Sequence, residues 1–252
     1  MSPLFSDRLL IGLAPAALTV LRFRGLLKEK LVDKAGVPCD PAFGNEPWQG
    51  AVAALKALRI KGRARVTVVL ANHFVRYAVV PWSGALGTEQ ERQAYLLHHF
   101  AKIHGERAKG WSMRASPGAA NEPRLASAVD SSLISEIKQA FQKRPGVRLG
   151  SIQPQLMAKF NAARATVPAA GAWLVLAEPE RACVALHAGG RWRSVQNAKG
   201  AWLDLLERER HRVEGELPDL VLLAGAASPA AASSPASSAE SRGGWNFREL
   251  AA

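Results

Sequence analysis

The chain has 252 residues, of which 48% are hydrophobic, with 33 Lys and Arg set against 21 Asp and Glu. This length and balance suit one large domain or two small ones around buried cores, and exclude a disordered polymer and a disulfide-stapled miniprotein. The formal charge of +12 favours anionic partners, although the Lys and Arg residues are dispersed and read first as solvated faces.

In chain order, Leu9 to Leu13 and Thr19 to Phe23 read as two strands joined by a tight connection at Ala14-Pro15-Ala16-Ala17. The apolar run from Leu9 to Leu21 is bounded by Arg8 and Arg22 and falls short of the ~20 residues that a membrane-spanning helix needs. Ala14-Pro15-Ala16 mimics a leader cleavage site, but Asp7 beside Arg8 replaces a leader's basic cluster and Pro15 interrupts its helix. No transmembrane anchor and a cytoplasmic location are therefore expected. Gly36 to Pro47 reads as a loop carrying Cys39, and Trp48 to Ile60 as a helix through Val52, Leu55 and Leu58.

Arg65 to Leu70 and Phe74 to Val80 are Val-rich and separated only by Ala71-Asn72-His73, which predicts a strand pair. Thr88 precedes Glu91 by three residues, the spacing of a capping box, and opens a helix that runs to Gly105. Trp111 to Ala115 and Leu125 to Val129 flank a turn with Pro117-Gly118 and Asn121, and Asp130 or Ser131 then caps a helix through Phe141. Val147 to Ile152 reads as a strand, and Pro154 opens a short helix to Ala163.

The opening theme then returns: strands at Trp173 to Ala177, Ala182 to His187 and Trp192 to Val195, a helix from about Lys199 to Arg212, and a strand at Leu220 to Leu223. Cys183 lies inside an apolar run, and the two cysteines fit neither a disulfide framework nor a Cys-x-x-Cys pair, so a reducing compartment is expected. From Gly225 to Gly244 the composition collapses to Ala, Ser, Pro and Gly, as in a flexible linker. Beyond it, Trp245, Phe247 and Leu250 read as either a frayed terminus or a docking peptide for a partner or for the chain's own domain.

Particular words carry a resemblance. Leu70-Ala71-Asn72-His73-Phe74-Val75-Arg76-Tyr77 with Val80-Pro81-Trp82, then Leu125 to Asp130 and Ser151-Ile152-Gln153-Pro154, resemble segments of the pilus-assembly M and type II secretion L proteins (PilM and the GspL cytoplasmic region). The resemblance implies an α/β chain with an actin-like (ribonuclease H-like) fold of two related halves, mixed sheets flanked by helices. The halves are expected at 1–167 and 168–227, the linker at 228–244 and the docking tail at 245–252. It also implies a non-catalytic platform or adaptor, bound to a membrane-anchored assembly protein or a cytosolic assembly ATPase and recruited to the inner membrane. The charge adds an anionic membrane surface, and less readily nucleic acid, to the expected partners.

In nucleotide-binding members of the actin superfamily, the first hairpin carries Asp-x-Gly, so that a carboxylate holds metal-bound water while glycine backbone approaches phosphate. Here the matching places hold Ala14 and Ala16, with Pro15 lacking an N–H between them. In the second hairpin Glu178 stands near a carboxylate place, but Pro179 and Glu180 replace the glycine. The strand before Gly225 keeps one glycine of the third element. Glu178 and Gly225 are thus the residues that would frame a nucleotide, hydrolysis is not expected, and no cofactor is assigned. A nucleotide-binding ATPase and a basic nucleic-acid-binding protein are the alternatives. Cys39 receives no role, and His98, His99 and His104 lack a ligand spacing for a metal.

Overall fold

A computed structural model describes residues 7–25, 29–225, 241–242 and 245–250. The chain folds as two compact units, Met1–Val75 with Val129–Gln155 and Arg76–Ala128 with Leu156–Ala252. Residues 76–128 and 156–167, expected in the first half, group with the second unit instead. The reason is that β-pairing and core packing join residues across long sequence separations, which a division at 167/168 in the chain ignores.

The first unit is built on a sheet ordered β3-β2-β1-β4-β8. Its strands are β1 (Asp7–Leu13), β2 (Ala17–Arg24), β3 (Lys30–Pro38), β4 (Ala64–Leu70) and β8 (Val147–Pro154). The first three form an antiparallel meander, and β4 and then β8 add in parallel beside β1. Alternation buries Leu9, Ile11 and Leu13 of β1 and Val66, Val68 and Leu70 of β4 on one face. Helices α1 (Gln49–Ala57) and α3 (Ser131–Gln142) supply the matching apolar stripes, Val52 and Leu55 on one and Leu133, Ile137 and Phe141 on the other. Arg144 ties the two helices by donating to the carbonyls of Leu55, Lys56 and Leu58 at 2.8, 2.9 and 2.9 Å, which satisfies the open carbonyl end of α1.

The expected pairing of β4 with β5 (Val75–Val80) is corrected here: β4 lies between β1 and β8, and β5 joins a separate sheet ordered β5-β7-β6. The break comes at a single 3-10 turn, Asn72–Phe74, and the edge of β4 that β5 would need is taken by β8. The loop expected over 36–47 also loses its start to β3, an edge strand whose residues 30–36 are all exposed.

The second unit contains that three-stranded sheet, with β6 (Trp111–Ala115) and β7 (Arg124–Asp130), and the helices α2 (Glu89–His104) and α4 (Gln155–Ala163). The capping box forms as the spacing requires: Thr88 Oγ1 accepts from Glu91 N–H at 3.2 Å, and Glu91 Oε2 accepts from Thr88 N–H at 2.8 Å. Leu96 and Phe100 of α2 pack with Val80, Met113, Ala126 and Ala128 into a local core.

The same unit holds a six-stranded sheet, ordered β11-β10-β9-β12-β14-β13. Its strands are β9 (Ala172–Glu178), β10 (Arg181–Ala188), β11 (Arg191–Lys199), β12 (Leu220–Gly225), β13 (Ser241–Arg242) and β14 (Trp245–Glu249), and α5 (Trp202–Arg212) crosses between β11 and β12. The topology repeats that of the first unit strand for strand. An antiparallel meander β9-β10-β11 is followed by β12 parallel to β9 and β14 parallel to β12. The segment after the Ala/Ser/Pro/Gly-rich stretch is therefore the counterpart of β8, the fifth strand of its sheet. Of the linker expected at 228–244, residues 228–240 and 243–244 lie outside the described residues, and 241–242 are the short strand β13.

Candidate functional site

The turn at the tip of β1-β2 is closed by Ala14 N–H donating to Ala17 O at 3.2 Å, and it is held from outside by Cys39 N–H donating to Ala16 O at 2.8 Å and Ala71 N–H donating to Leu13 O at 2.9 Å. Its side chains are two methyl groups and a pyrrolidine ring. No side-chain atom at Ala14, Pro15 or Ala16 can ligate a cation or donate to an anion.

The β9-β10 tip is a two-residue turn, Pro179-Glu180, between the paired residues Glu178 and Arg181. Glu180 has φ +60°, the left-handed conformation that glycine ordinarily supplies in a turn with proline at its second position. The carboxylate thus occupies a place where the backbone prefers no side chain at all. Arg181 reaches back to Asn197, donating to its carbonyl at 3.3 Å and to Oδ1 at 3.1 Å.

Around Glu178 the second unit gathers groups for which sequence spacing gave no role. Burial lowers the Arg76 guanidinium, and the charge of Arg181 lowers it further. Burial likewise pushes the Tyr77 phenol well up, helped by Cys183 and Glu178, and its oxygen accepts from Leu156 N–H at 3.5 Å. Cys183 is fully buried, and its thiol is pushed far up by desolvation and then by Glu178. Arg76 and Tyr77 stand in the family-like word before Val80, but nothing local in the sequence shows that they meet Arg181 and Cys183, some hundred residues away. The cluster is cationic and aromatic, without paired carboxylates.

Glu178 and Gly225 do come together, because Ala177 and Gly225 are register partners on β9 and β12. Gly225 has φ +91°, and a Cβ there would stand 2.2 Å from Ala177 O. A close approach of two protein strands is thus sufficient reason for this glycine.

Trp245, Phe247 and Leu250, expected as partner-contacting residues, are corrected: they are 2%, 8% and 6% exposed and belong to the chain's own core. Leu250 N–H donates to Leu223 O at 2.6 Å and Asn246 N–H to Asp219 O at 2.9 Å, so the segment docks in cis as a strand. Trp245 Nε1 donates to Glu207 at 2.6 Å, and Arg210 lies 4.4 Å above its ring. The isolated aromatic word after a polar stretch signalled docking, but not its target.

On α2, the rings of Tyr95 and His99 meet at 4.6 Å, and His104 lies 5.0 Å from Trp111. Burial lowers both His99 and His104. Among the described residues no three His, Cys, Asp or Glu side chains are grouped to hold a metal ion, and no helix is long and apolar enough to cross a membrane.

Two sheets of repeated topology, each a three-stranded meander extended by parallel strands and flanked by helices, make this an actin-like fold. Among solved structures it is similar to the cytoplasmic domain of EpsL, an inner membrane component of the type II secretion system of Vibrio cholerae. That match is 13% identical, covers 86% of this chain and 82% of that one, and has a TM-score of 0.56. PilM in the PilM-PilN type IV pilus biogenesis complex is similar at 16% identity over 82% of this chain and 66% of that one, with a TM-score of 0.56. A Bacteroides thetaiotaomicron protein with an actin-like ATPase fold and unknown function is 12% identical over 90% of this chain and 85% of that one, with a TM-score of 0.55. No family model matches the sequence, and no curated protein is detectably similar to it.

Proposed function

We propose that the chain is a non-catalytic actin-like platform or adaptor of a type IV pilus or type II secretion assembly, working by protein-protein binding at the cytoplasmic face of the inner membrane. The observation that carries the reading is the chemistry of the two turn tips. Ala14-Pro15-Ala16 has no group for a metal or phosphate, and Pro179-Glu180 places a carboxylate where a phosphate-approaching backbone would be needed. The likeness in fold to the EpsL cytoplasmic domain and to PilM supplies the setting. Partners of the same kind, a membrane-anchored assembly protein or a cytosolic assembly ATPase, fit it.

The test pairs two measurements on the purified full chain. Mg-ATP incubation is expected to release no phosphate above a protein-free blank, and co-expression with a membrane-anchored assembly protein of the PilN kind from the same genome is expected to co-purify both. Phosphate release that disappears in Glu178→Gln would instead favour the ATPase alternative.

A further inference from the structure

The parallel and antiparallel registers of the first unit bring the starts of β1, β3, β4 and β8 and the end of β2 to one end of the sheet. That end is basic well beyond the chain's average. Arg8 pairs with Arg65, and Arg65 with Arg148, as register neighbours on three adjacent strands. Arg65 lies between buried Ala64 and Val66, so this row stands on the face opposite the buried one. Parallel neighbours share a face at strand spacing, about 4.8 Å, so the three arginines leave the sheet from one row on one face.

The arginine nearest the middle of the sheet is neutralised and the outer ones are not. Arg8 is held by Glu29 at 2.9 and 2.7 Å and lies 4.4 Å over the Phe23 ring. Asp7 is likewise engaged, by Arg22 and Arg24, each at 3.0 Å. Among the described residues no carboxylate pairs with Lys30, Lys61, Arg63, Arg65 or Arg148. Arg65 is laid across β8, its Nε standing 2.8 Å from where a Cβ of Gly150 would be. Like charges in adjacent register repel one another, and a fold keeps such a row at a cost unless an anionic surface meets it.

Apolar side chains continue the same row. Phe23 is the register partner of Arg8 and Leu31 that of Phe23, and Leu31 and Val32 are 52% and 48% exposed on an edge strand open on both faces. Exposed aliphatic groups beside unpaired Lys and Arg suit the boundary of an anionic bilayer, where the chains enter the headgroup layer and the cations meet phosphates. A nucleic acid would use the cations and leave Leu31 and Val32 unexplained.

We infer that this end of the first unit is a membrane-binding surface for anionic phospholipid, with Arg65 and Arg148 as phosphate contacts and Leu31 and Val32 as the apolar insertion. The inference deepens the adaptor reading and rests on it only for which membrane is met. The residues involved lie at the other end of their sheet from the β1-β2 tip.

Flotation of the full chain with vesicles of 30% phosphatidylglycerol in phosphatidylcholine tests it, beside pure phosphatidylcholine, with circular dichroism to verify folding. Binding is expected to need phosphatidylglycerol and to weaken with salt. Arg65→Gln with Arg148→Gln is expected to weaken it about 25-fold, from roughly fivefold per basic residue at an anionic surface. Leu31→Ser with Val32→Ser is expected to weaken it at least severalfold, whereas Arg191→Gln with Arg208→Gln, the same charge change in the second unit, is expected to leave it unchanged. No binding to phosphatidylglycerol, or equal loss in the second-unit variant, overturns the proposal. So does binding that depends on the arginines but is indifferent to Leu31 and Val32, since the surface would then have no apolar insertion. None of these failures touches co-purification with an assembly protein, so the adaptor reading is judged separately.

Discussion

Trp173 and Trp245 meet edge to face, their ring centroids 6.1 Å apart and their planes at 88°. One comes from β9 and the other from β14 of the same sheet, and both are at most 2% exposed. Removing the second ring should leave a large cavity beside the first, and Trp245→Ala is expected to destabilise the protein by about 3–5 kcal/mol. A fall in urea midpoint followed by far-ultraviolet circular dichroism measures this, and a midpoint unchanged from wild type would mean that the strand is not part of the folded core.

Two turn-end residues should respond to substitution with opposite sign. Glu180 holds φ +60° without being glycine, at a conformational cost of about 1–3 kcal/mol, so Glu180→Gly is expected to raise the thermal midpoint. Gly225 holds φ +91° with no room for a Cβ beside Ala177 O, so Gly225→Ala is expected to lower it. Differential scanning calorimetry of both variants checks the pair.

The Asp7 carboxyl is held below the usual carboxylate range, first by its hydrogen bond from Arg24 and then by the charges of Arg24 and Arg22. A carboxyl whose folded pKa is depressed contributes stability above its unfolded value of about 4 and loses it as pH falls through the folded value. Asp7→Asn should therefore be less stable than wild type at pH 7, with the difference shrinking as pH drops below 4. Urea midpoints at pH 7 and pH 3 show whether the gap closes.

Both cysteines are free, Cys39 half-buried and Cys183 fully buried, and burial raises both thiols. Since the thiolate is the reactive form, the native protein at pH 8 is expected to react with an aromatic disulfide reagent slowly and only at Cys39. Cys183 should become reactive in denaturant, and mass spectrometry of the labelled peptides separates the two.

Much of this architecture is written locally. The β1-β2 and β9-β10 hairpins follow from apolar runs around short breaks, and Thr88 with Glu91 announces α2 by a hydrogen-bond geometry that depends on three-residue spacing alone. What local reading lost depends on partners far along the chain. Lys30 to Gly36 is exposed on both faces, so β3 carries no alternation to detect. Nothing near Leu70 and Val75 shows that their strands part to different sheets. At the turn tips the missing carboxylates were visible as letters. The Arg76, Tyr77, Arg181 and Cys183 cluster was not, because it is assembled by packing between strands of two different sheets, β5 and β10.

The fifth place in the second sheet is filled by a strand that pairs with β12 through backbone hydrogen bonds and side-chain burial. Such a strand is held by contacts that do not require it to be part of the same molecule; the covalent connection supplies only local concentration. A chain shortened to residue 225 is therefore expected to be complemented by a synthetic peptide spanning 241–250. A shift in the peptide's Trp245 fluorescence on mixing, read against the shortened chain with its own six tryptophans, would report the rejoining.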